Sequence, residues 1–223
     1  MTDHGPRRRH TADLVVGTWN THMGRALPAL GPAVLDKAPD LDVLALQELP
    51  ASAAAAVDQA LGKRARSWDL VWGAERGLPG VLIRRHPWLT VLDHGAPALE
   101  PALHNRARVW VRLRDDRTDR DVYVSSVHVD PLGRGLIDAN PGARAMHMRQ
   151  VQAYADAVAT RPPEAVVIDA GDWNERLGQA IPVEWLERSA LGRIAAGGAR
   201  PPFPETRRGG RTGRPDAVLI PPA

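Results

Sequence analysis

The stretch Val166–Glu175, VVIDAGDWNE, begins as a buried β-strand and ends in polar residues. Three β-branched apolar residues in a row are typical of a strand that is covered on both faces. Asp172 and Asn174 follow this strand almost directly. They could cap a following helix, or they could be functional groups at the end of the strand. The stretch alone leaves both interpretations open.

The same pattern recurs at three other places in the chain. Asn20 follows the apolar run that begins at residue 14, Glu48 follows the strand 42–46, and His128 follows the strand 122–127. Each residue taken singly could be a turn residue, a first-turn helix acid or a satisfied buried histidine. Because strand ends on one side of a sheet lie close together, we expect the whole set to converge on one pocket, formed by Asn20, Glu48, His128, Asp172 and Asn174.

The residue types in this set suit one kind of chemistry. Carboxylate and amide oxygens are hard ligands, which Mg²⁺ and Mn²⁺ prefer. The chain has no cysteine, so thiolate zinc sites, disulfides and thiol catalysis are excluded. An aspartate can orient or deprotonate a water, and a histidine can donate to a phosphoryl oxygen. The pattern therefore predicts metal-assisted attack of water on a phosphate ester.

The chain of 223 residues mixes helices and strands without strict alternation. A polar turn cluster, DDRTDRD, separates strands 108–113 and 122–127 and indicates an antiparallel hairpin. The alanine-rich stretch 51–66 and the periodic stretch 142–159 favour helices. We expect a disordered basic segment over residues 1–12 and one α/β domain over residues 13–223.

Basic residues are almost all arginine, since only Lys37 and Lys63 among the 29 are lysine. Arginine binds phosphate well, but the abundance of Ala, Arg, Gly and Pro also fits a genome rich in G and C. Arg207 and Arg208 belong to an arginine-rich run that would either follow a phosphate backbone or form a solvated loop. No apolar run reaches the length of a membrane span or a secretory signal, so the expected location is the cytoplasm.

Several blocks of the sequence resemble the endonuclease/exonuclease/phosphatase superfamily, which includes DNase I and the exonuclease III type enzymes. They occur in the family's order and cover nearly the whole chain from Leu14 onward. The blocks are GTWNTH (17–22), LALQELP (44–50), GVLIRR (80–85), SSVHVDP (125–131), HMRQVQAYADAV (147–158), GDWNE (171–175) and GRPDAVLI (213–220).

This resemblance implies a four-layer α/β sandwich, with two mixed sheets packed face to face, helices outside and the active site at one end of the sheets. It also implies a Mg²⁺ or Mn²⁺ cofactor, with Glu48 as the main metal ligand and Asn20 as a nearby residue that helps to hold the metal and its waters. By the same resemblance, His128 binds the scissile phosphate and Asp172 orients or activates the attacking water.

Three further roles come from the resemblance. Asn174 contacts the phosphate, and Asp216 matches an aspartate that normally pairs with a catalytic histidine. Arg106 matches a phosphate-contacting arginine by a looser alignment.

The chain departs from the family near its end. A Ser-Asp-His motif and one more strand normally follow some tens of residues after the strand of Asp216, whereas only seven residues follow it here. The chain could be shortened, could be an enzyme that uses another histidine such as His22 or His147, or could bind phosphate without turnover. A missing last strand would leave a sheet edge open to self-association.

The leading functional hypothesis is a divalent-metal phosphodiesterase, more specifically an endo- or exonuclease. The first alternative is a truncated or degenerate family member that binds phosphate, nucleic acid or a protein partner without turnover. The second is a lipid or inositol phosphate phosphoesterase, which would need a membrane-facing loop that the sequence does not obviously contain.

Overall fold

The structure is a computed structural model. It describes residues 14–36, 38–73, 78–97, 108–129, 165–172 and 216–219, with 142, 145–146, 149–150, 152–153, 156 and 160–162. For residues 33, 172 and 216–219 it describes the backbone alone. The segment 1–12, predicted to be disordered, lies outside the described residues.

The first sheet has four strands in the order β1-β2-β4-β3. The parallel pair β1–β2 and the antiparallel pairs β2–β4 and β3–β4 make it a mixed sheet. Its strands are β1 (Val16–Asn20), β2 (Val43–Gln47), β3 (Trp68–Trp72) and β4 (Gly80–Arg84).

The second sheet has five strands in the order β5-β6-β7-β8-β9. It is also mixed, because β7 and β8 run parallel while the other pairs are antiparallel. Its strands are β5 (Leu89–Gly95), β6 (Arg108–Asp115), β7 (Arg120–His128), β8 (Val166–Asp172) and β9 (Asp216–Leu219).

Two apolar layers hold these sheets in place. Between the sheets, Val43 and Val81 of the first pack with Val109, Val111 and Val124 of the second, and all five are fully buried. The other face of the first sheet is covered by α1 (Ala53–Leu61), a 3₁₀ turn (Leu27–Ala29) and a π-helical segment (Leu30–Leu35). The expected sandwich of two mixed sheets is therefore confirmed.

Some element boundaries differ from the sequence prediction. The helix expected over 51–66 ends at Leu61, because Gly62 takes a left-handed backbone with φ of 56° and a 3₁₀ segment (Gly62–Ser67) follows. Strand β5 was not anticipated. Within the predicted helix 142–159, the described residues 145–146, 149–150, 152–153 and 156 have helical backbone. No helix in the described ranges is long and apolar enough to cross a membrane.

The turn between β6 and β7 is organised around the buried carboxylate of Asp115. Asp115 accepts hydrogen bonds from the Arg117 backbone N–H at 3.0 Å, from Nε at 2.9 Å and from Nη2 at 2.8 Å. The side-chain hydrogen bond from Arg117 is the main reason why the pKa of Asp115 lies below its usual value. A carboxyl whose pKa falls on folding stabilises the fold above its unfolded pKa, which is about 3.9. That stability is lost as the pH falls through the lower folded pKa.

Asp115→Asn is therefore expected to lower the free energy of unfolding at pH 7 by about 1–3 kcal/mol, the range for charge-assisted hydrogen bonds. The difference from the wild type should shrink as the pH is lowered from 5 to 3, as measured by urea unfolding. The matched control is Asp116→Asn, since its neighbour Asp116 is exposed and should change stability by less than about 0.5 kcal/mol. A deficit that stays constant over this pH range would contradict the assignment.

Candidate active site

The polar strand ends lie at one end of the two sheets. Asn20 is the last residue of β1 and pairs in register with Gln47, and Glu48 follows directly. In the second sheet, His128 pairs with Asp172, and Asp172 pairs with Asp216. The parallel strands β7 and β8 end here, and the antiparallel strand β9 begins here. The backbone thus places five of the predicted site residues along the same end of the sandwich.

Glu48 has an unusual backbone, since its φ of 55° lies in the left-handed region that non-glycine residues rarely adopt. The Asn20 Nδ2 donates to Glu48 Oε1 at 3.1 Å, while Asn20 Oδ1 accepts from the His22 backbone N–H at 2.8 Å. The Asn20 amide thus orients the carboxylate. The Glu48 side chain keeps 22% of its surface exposed, so the carboxylate is held in place and still accessible to solvent.

His128 brings the second sheet to the same carboxylate. Its Nε2 lies 3.7 Å from Glu48 Oε1, and its side chain is only 2% exposed. This distance allows electrostatic interaction but is too long for a direct hydrogen bond. The carboxylate and the imidazole therefore lie next to each other at this end of the sandwich, and Asn20 is hydrogen-bonded to the carboxylate.

Gln47, the residue before Glu48, joins the two sheets, and sequence reasoning did not single it out as a site residue. Its Nε2 donates to Ser126 Oγ at 2.9 Å, and Ser126 Oγ donates to the Leu46 carbonyl at 2.8 Å. Thr18 Oγ1 donates to Gln47 Oε1 at 3.3 Å. Gln47 and Ser126 are fully buried. The one signal in the sequence was the position of this amide directly after an apolar run. A buried amide is costly unless it is hydrogen-bonded.

Gln47→Leu is expected to lower the free energy of unfolding by about 1–3 kcal/mol, because the buried Ser126 hydroxyl loses the Gln47 amide that donates to it. Denaturant unfolding measures this loss, with exposed Gln59 on α1 as the matched control in Gln59→Leu. The double variant Gln47→Leu/Ser126→Ala should lose less unfolding free energy than the two single variants together. The difference should be at least about 0.5 kcal/mol. Strict additivity would show that the bridge does not couple the sheets.

Gly171 explains how β8 can approach β7 so closely beside the site. A Cβ atom at this position would lie 2.1 Å from the Val127 carbonyl oxygen. Such a contact is impossible without moving backbone, so a side chain here would displace the strand that carries Asp172. The glycine in GDWNE therefore has a packing role in addition to any functional role of its neighbours.

Several predicted site residues fall beyond this description. Arg106, Asn174, Arg207 and Arg208 lie outside the described residues, as does the alternative histidine His147. For Asp172 and Asp216 the structure gives the backbone position only. His22, the other alternative histidine, is exposed on the turn after Asn20.

The donor chemistry of this end fits a hard divalent cation. The accessible Glu48 carboxylate supplies oxygen ligands of the kind that Mg²⁺ and Mn²⁺ prefer, and its orientation is fixed by Asn20. Among the side chains that the structure describes, no group of three or more His, Cys, Asp or Glu forms a complete metal cage. Magnesium sites commonly use one or two carboxylates, with water and substrate phosphate completing the shell.

Comparison with known proteins agrees with this architecture. The sequence model of the endonuclease/exonuclease/phosphatase family matches residues 17–219. Among curated proteins, none matches the chain in sequence.

Three solved structures illustrate the likeness in fold. A humanized TDP2 from D. rerio is 18% identical, with a TM-score of 0.67 over 94% of this chain and 84% of that one. D. rerio TDP2 complexed with a single-strand DNA product is 19% identical, with a TM-score of 0.64 over 94% and 84%. The mannosyl-6-phosphatase of Bacteroides thetaiotaomicron is 15% identical, with a TM-score of 0.64 over 95% and 86%. With the family match covering nearly all of the chain from β1 to β9, the protein belongs to the endonuclease/exonuclease/phosphatase family.

Proposed function

We propose that the protein is a divalent-metal-dependent phosphodiesterase that acts on nucleic acid, and is thus a nuclease. The observation that carries this proposal is the approach of Glu48 Oε1 to within 3.7 Å of His128 Nε2, across the two sheets, while Asn20 donates to the same oxygen. In this proposal Glu48 is the anionic metal ligand, and the neighbouring imidazole of His128 binds the phosphate. The single-strand DNA product in the TDP2 complex favours nucleic acid over sugar phosphates.

In this proposal the protein's own residues have the following roles in hydrolysis. Glu48 would hold the metal ion, and Asn20 would keep the Glu48 carboxylate oriented. His128 donates to a nonbridging oxygen of the scissile phosphate, and Asp172 accepts a proton from the attacking water. A bound Mg²⁺ or Mn²⁺ would supply positive charge for the phosphate and the leaving oxygen.

The remaining predicted residues would act around this centre. Asn174 contacts the phosphate, and Asp216 lies on the neighbouring strand in register with Asp172. Arg106, Arg207 and Arg208 would bind flanking phosphates, which makes binding dependent on salt concentration.

The proposal is tested by measuring hydrolysis of single-stranded DNA, plasmid DNA and RNA by the full chain, with Mg²⁺, with Mn²⁺ and with EDTA. We expect metal-dependent cleavage that Asp172→Asn lowers by about 10²–10⁴-fold, the usual contribution of a general base. Salt-dependent binding of nucleic acid without any turnover would instead identify the protein as a binding module. Turnover of sugar, lipid or inositol phosphates alone would make it a phosphatase or a phospholipase-like enzyme.

A cytoplasmic location and self-association both stay predictions. In the described sheet order, β1 and β9 are terminal strands of their sheets, and β1 carries Asn20 at its end. Pairing of two copies through such an edge would raise the mass measured by light scattering as the protein concentration increases.

A further inference from the structure

Exposed apolar side chains are few in the described residues, and two of the three large ones lie at the active-site end. Met23 is 39% exposed on the turn after Asn20, and Trp72 is 37% exposed at the end of β3. The third, Leu92, is 47% exposed on β5 of the other sheet. An exposed indole beside a polar site is a common means of contacting a ligand, because one aromatic face can stack on a flat apolar group.

Hydrogen bonds tie the end of β3 to the residue that follows Glu48. Gly73 N–H donates to the Pro79 carbonyl at 3.2 Å, and Leu49 N–H donates to the Leu78 carbonyl at 3.2 Å. Trp72 pairs with Gly80, and Gly80 pairs with Leu46 of β2. Since neighbouring strands lie about 4.8 Å apart and β3 is two strands from β2, Trp72 lies roughly 10 Å across the sheet from β2, the strand that precedes Glu48.

Gly80 allows this corner of the sheet to pack tightly. A Cβ atom there would lie 2.6 Å from Leu49 Cδ1 and 3.1 Å from Trp72 Cβ. The Trp72 Cβ is therefore packed close to Leu49, the residue next to Glu48, while 37% of Trp72 stays exposed. A tryptophan that is packed at its Cβ and partly exposed loses less conformational entropy on stacking than a mobile surface residue would.

The turn on the other side of Glu48 is held in a strained conformation. His22 and Met23 have φ values of 53° and 55°, which non-glycine residues rarely adopt. The Asn20 side chain accepts from the His22 N–H, and Thr21 Oγ1 accepts from the Gly24 N–H at 3.3 Å. Strain that side-chain hydrogen bonds maintain beside a site points to a functional placement of the turn.

We infer that Trp72 and Met23 are specificity-determining residues which contact the unpaired bases on either side of the scissile phosphate, so that the substrate is single-stranded nucleic acid. The inference rests on the proposed function, since it takes the phosphate to bind next to Glu48 and His128. Bases within a duplex are stacked on one another and cannot offer a face to Trp72, whereas unpaired bases can.

The test compares Trp72→Ala, Trp72→Phe and Leu92→Ala in binding and in cleavage of a single-stranded DNA. A second strand of equal length carries abasic analogues around the scissile phosphate. Binding is measured in EDTA by fluorescence anisotropy, and cleavage is measured with Mg²⁺. We expect Trp72→Ala to weaken binding and raise KM by roughly 5- to 100-fold on the base-bearing strand, the range for one lost base stack. Met23→Ala should act in the same direction with a smaller effect.

The controls separate stacking from a structural effect. Trp72→Phe should recover most of the affinity, Leu92→Ala should match the wild type, and the abasic strand should not distinguish Trp72→Ala from the wild type. No binding of single strands by the wild type, or equal losses on both strands, would overturn the inference. So would a loss of binding that follows a change in oligomeric state. Binding that depends on Trp72 without any cleavage would support the inference while refuting the proposed hydrolysis.

Discussion

Glu48→Gln is expected to lower both the affinity for Mg²⁺ and the rate of phosphodiester hydrolysis by more than about 100-fold. Replacing a residue that only orients a metal ligand typically costs about 10–100-fold, and the loss of the ligand charge itself should cost more. Asn20→Ala removes the amide that donates to Glu48 Oε1 at 3.1 Å and should fall within that lower range. Calorimetric titration with Mg²⁺ and single-turnover hydrolysis measure the two quantities.

The control for Glu48→Gln is a carboxylate at the opposite end of the sandwich. Asp116 is exposed in the turn before β7, and His128 lies at the far end of that strand. Asp116→Asn should therefore leave metal affinity and rate within a factor of two of the wild type. The role of Glu48 as a metal ligand would be refuted if Glu48→Gln kept full Mg²⁺ affinity while its unfolding curve matched that of the wild type.

His128→Gln is expected to lower kcat by about 10²–10³-fold, the usual cost of removing one donor that stabilises developing negative charge. The His128 Nε2 lies 3.7 Å from the Glu48 carboxylate, so it is close to that carboxylate without a direct hydrogen bond to it. The Mg²⁺ affinity should therefore change by only a few-fold, in contrast to Glu48→Gln. Single-turnover rates and the same calorimetric titration distinguish the two variants.

His128 is only 2% exposed, so the substitution must be checked for folding. Glutamine is chosen because it keeps a polar side chain of similar length in the buried position. A variant with an unchanged rate would rule out His128 as a phosphate ligand. A variant that lost Mg²⁺ affinity as strongly as Glu48→Gln would place His128 in the metal site instead.

The sequence located the buried strands, because they give uninterrupted apolar runs, but it placed their ends too early. His128 and Asp172, expected just after their strands, are the last residues of β7 and β8. The predicted hairpin is formed by β6 and β7. Strand β5 was missed because it is an edge strand, mostly exposed, with a register shift between Val91 and Asp93. Such a strand carries neither an apolar run nor a clean alternation.

The local geometry of the site could not be read from the sequence. The dipeptide Gln47-Glu48 does not indicate that Glu48 takes a left-handed backbone, or that Gln47 joins the sheets through Ser126. The bond between Gln47 and Ser126 joins residues that are 79 positions apart in the chain, so it depends on tertiary packing. The hydrogen bond from the Asn20 amide to the Glu48 carboxylate was likewise not visible in the sequence, and the role of Asn20 in holding the metal stays a prediction.

We propose that residues of the two sheets form one hydrolytic site. A double-mutant cycle between Glu48→Gln and His128→Gln tests this claim most directly. The measurement is single-turnover hydrolysis of single-stranded DNA with saturating Mg²⁺. Residues that act as a unit in catalysis show strongly non-additive losses. We expect the double variant to be little slower than the slower of the two single variants. Losses that simply multiply, or a wild type without Mg²⁺-dependent hydrolysis, would contradict the claim.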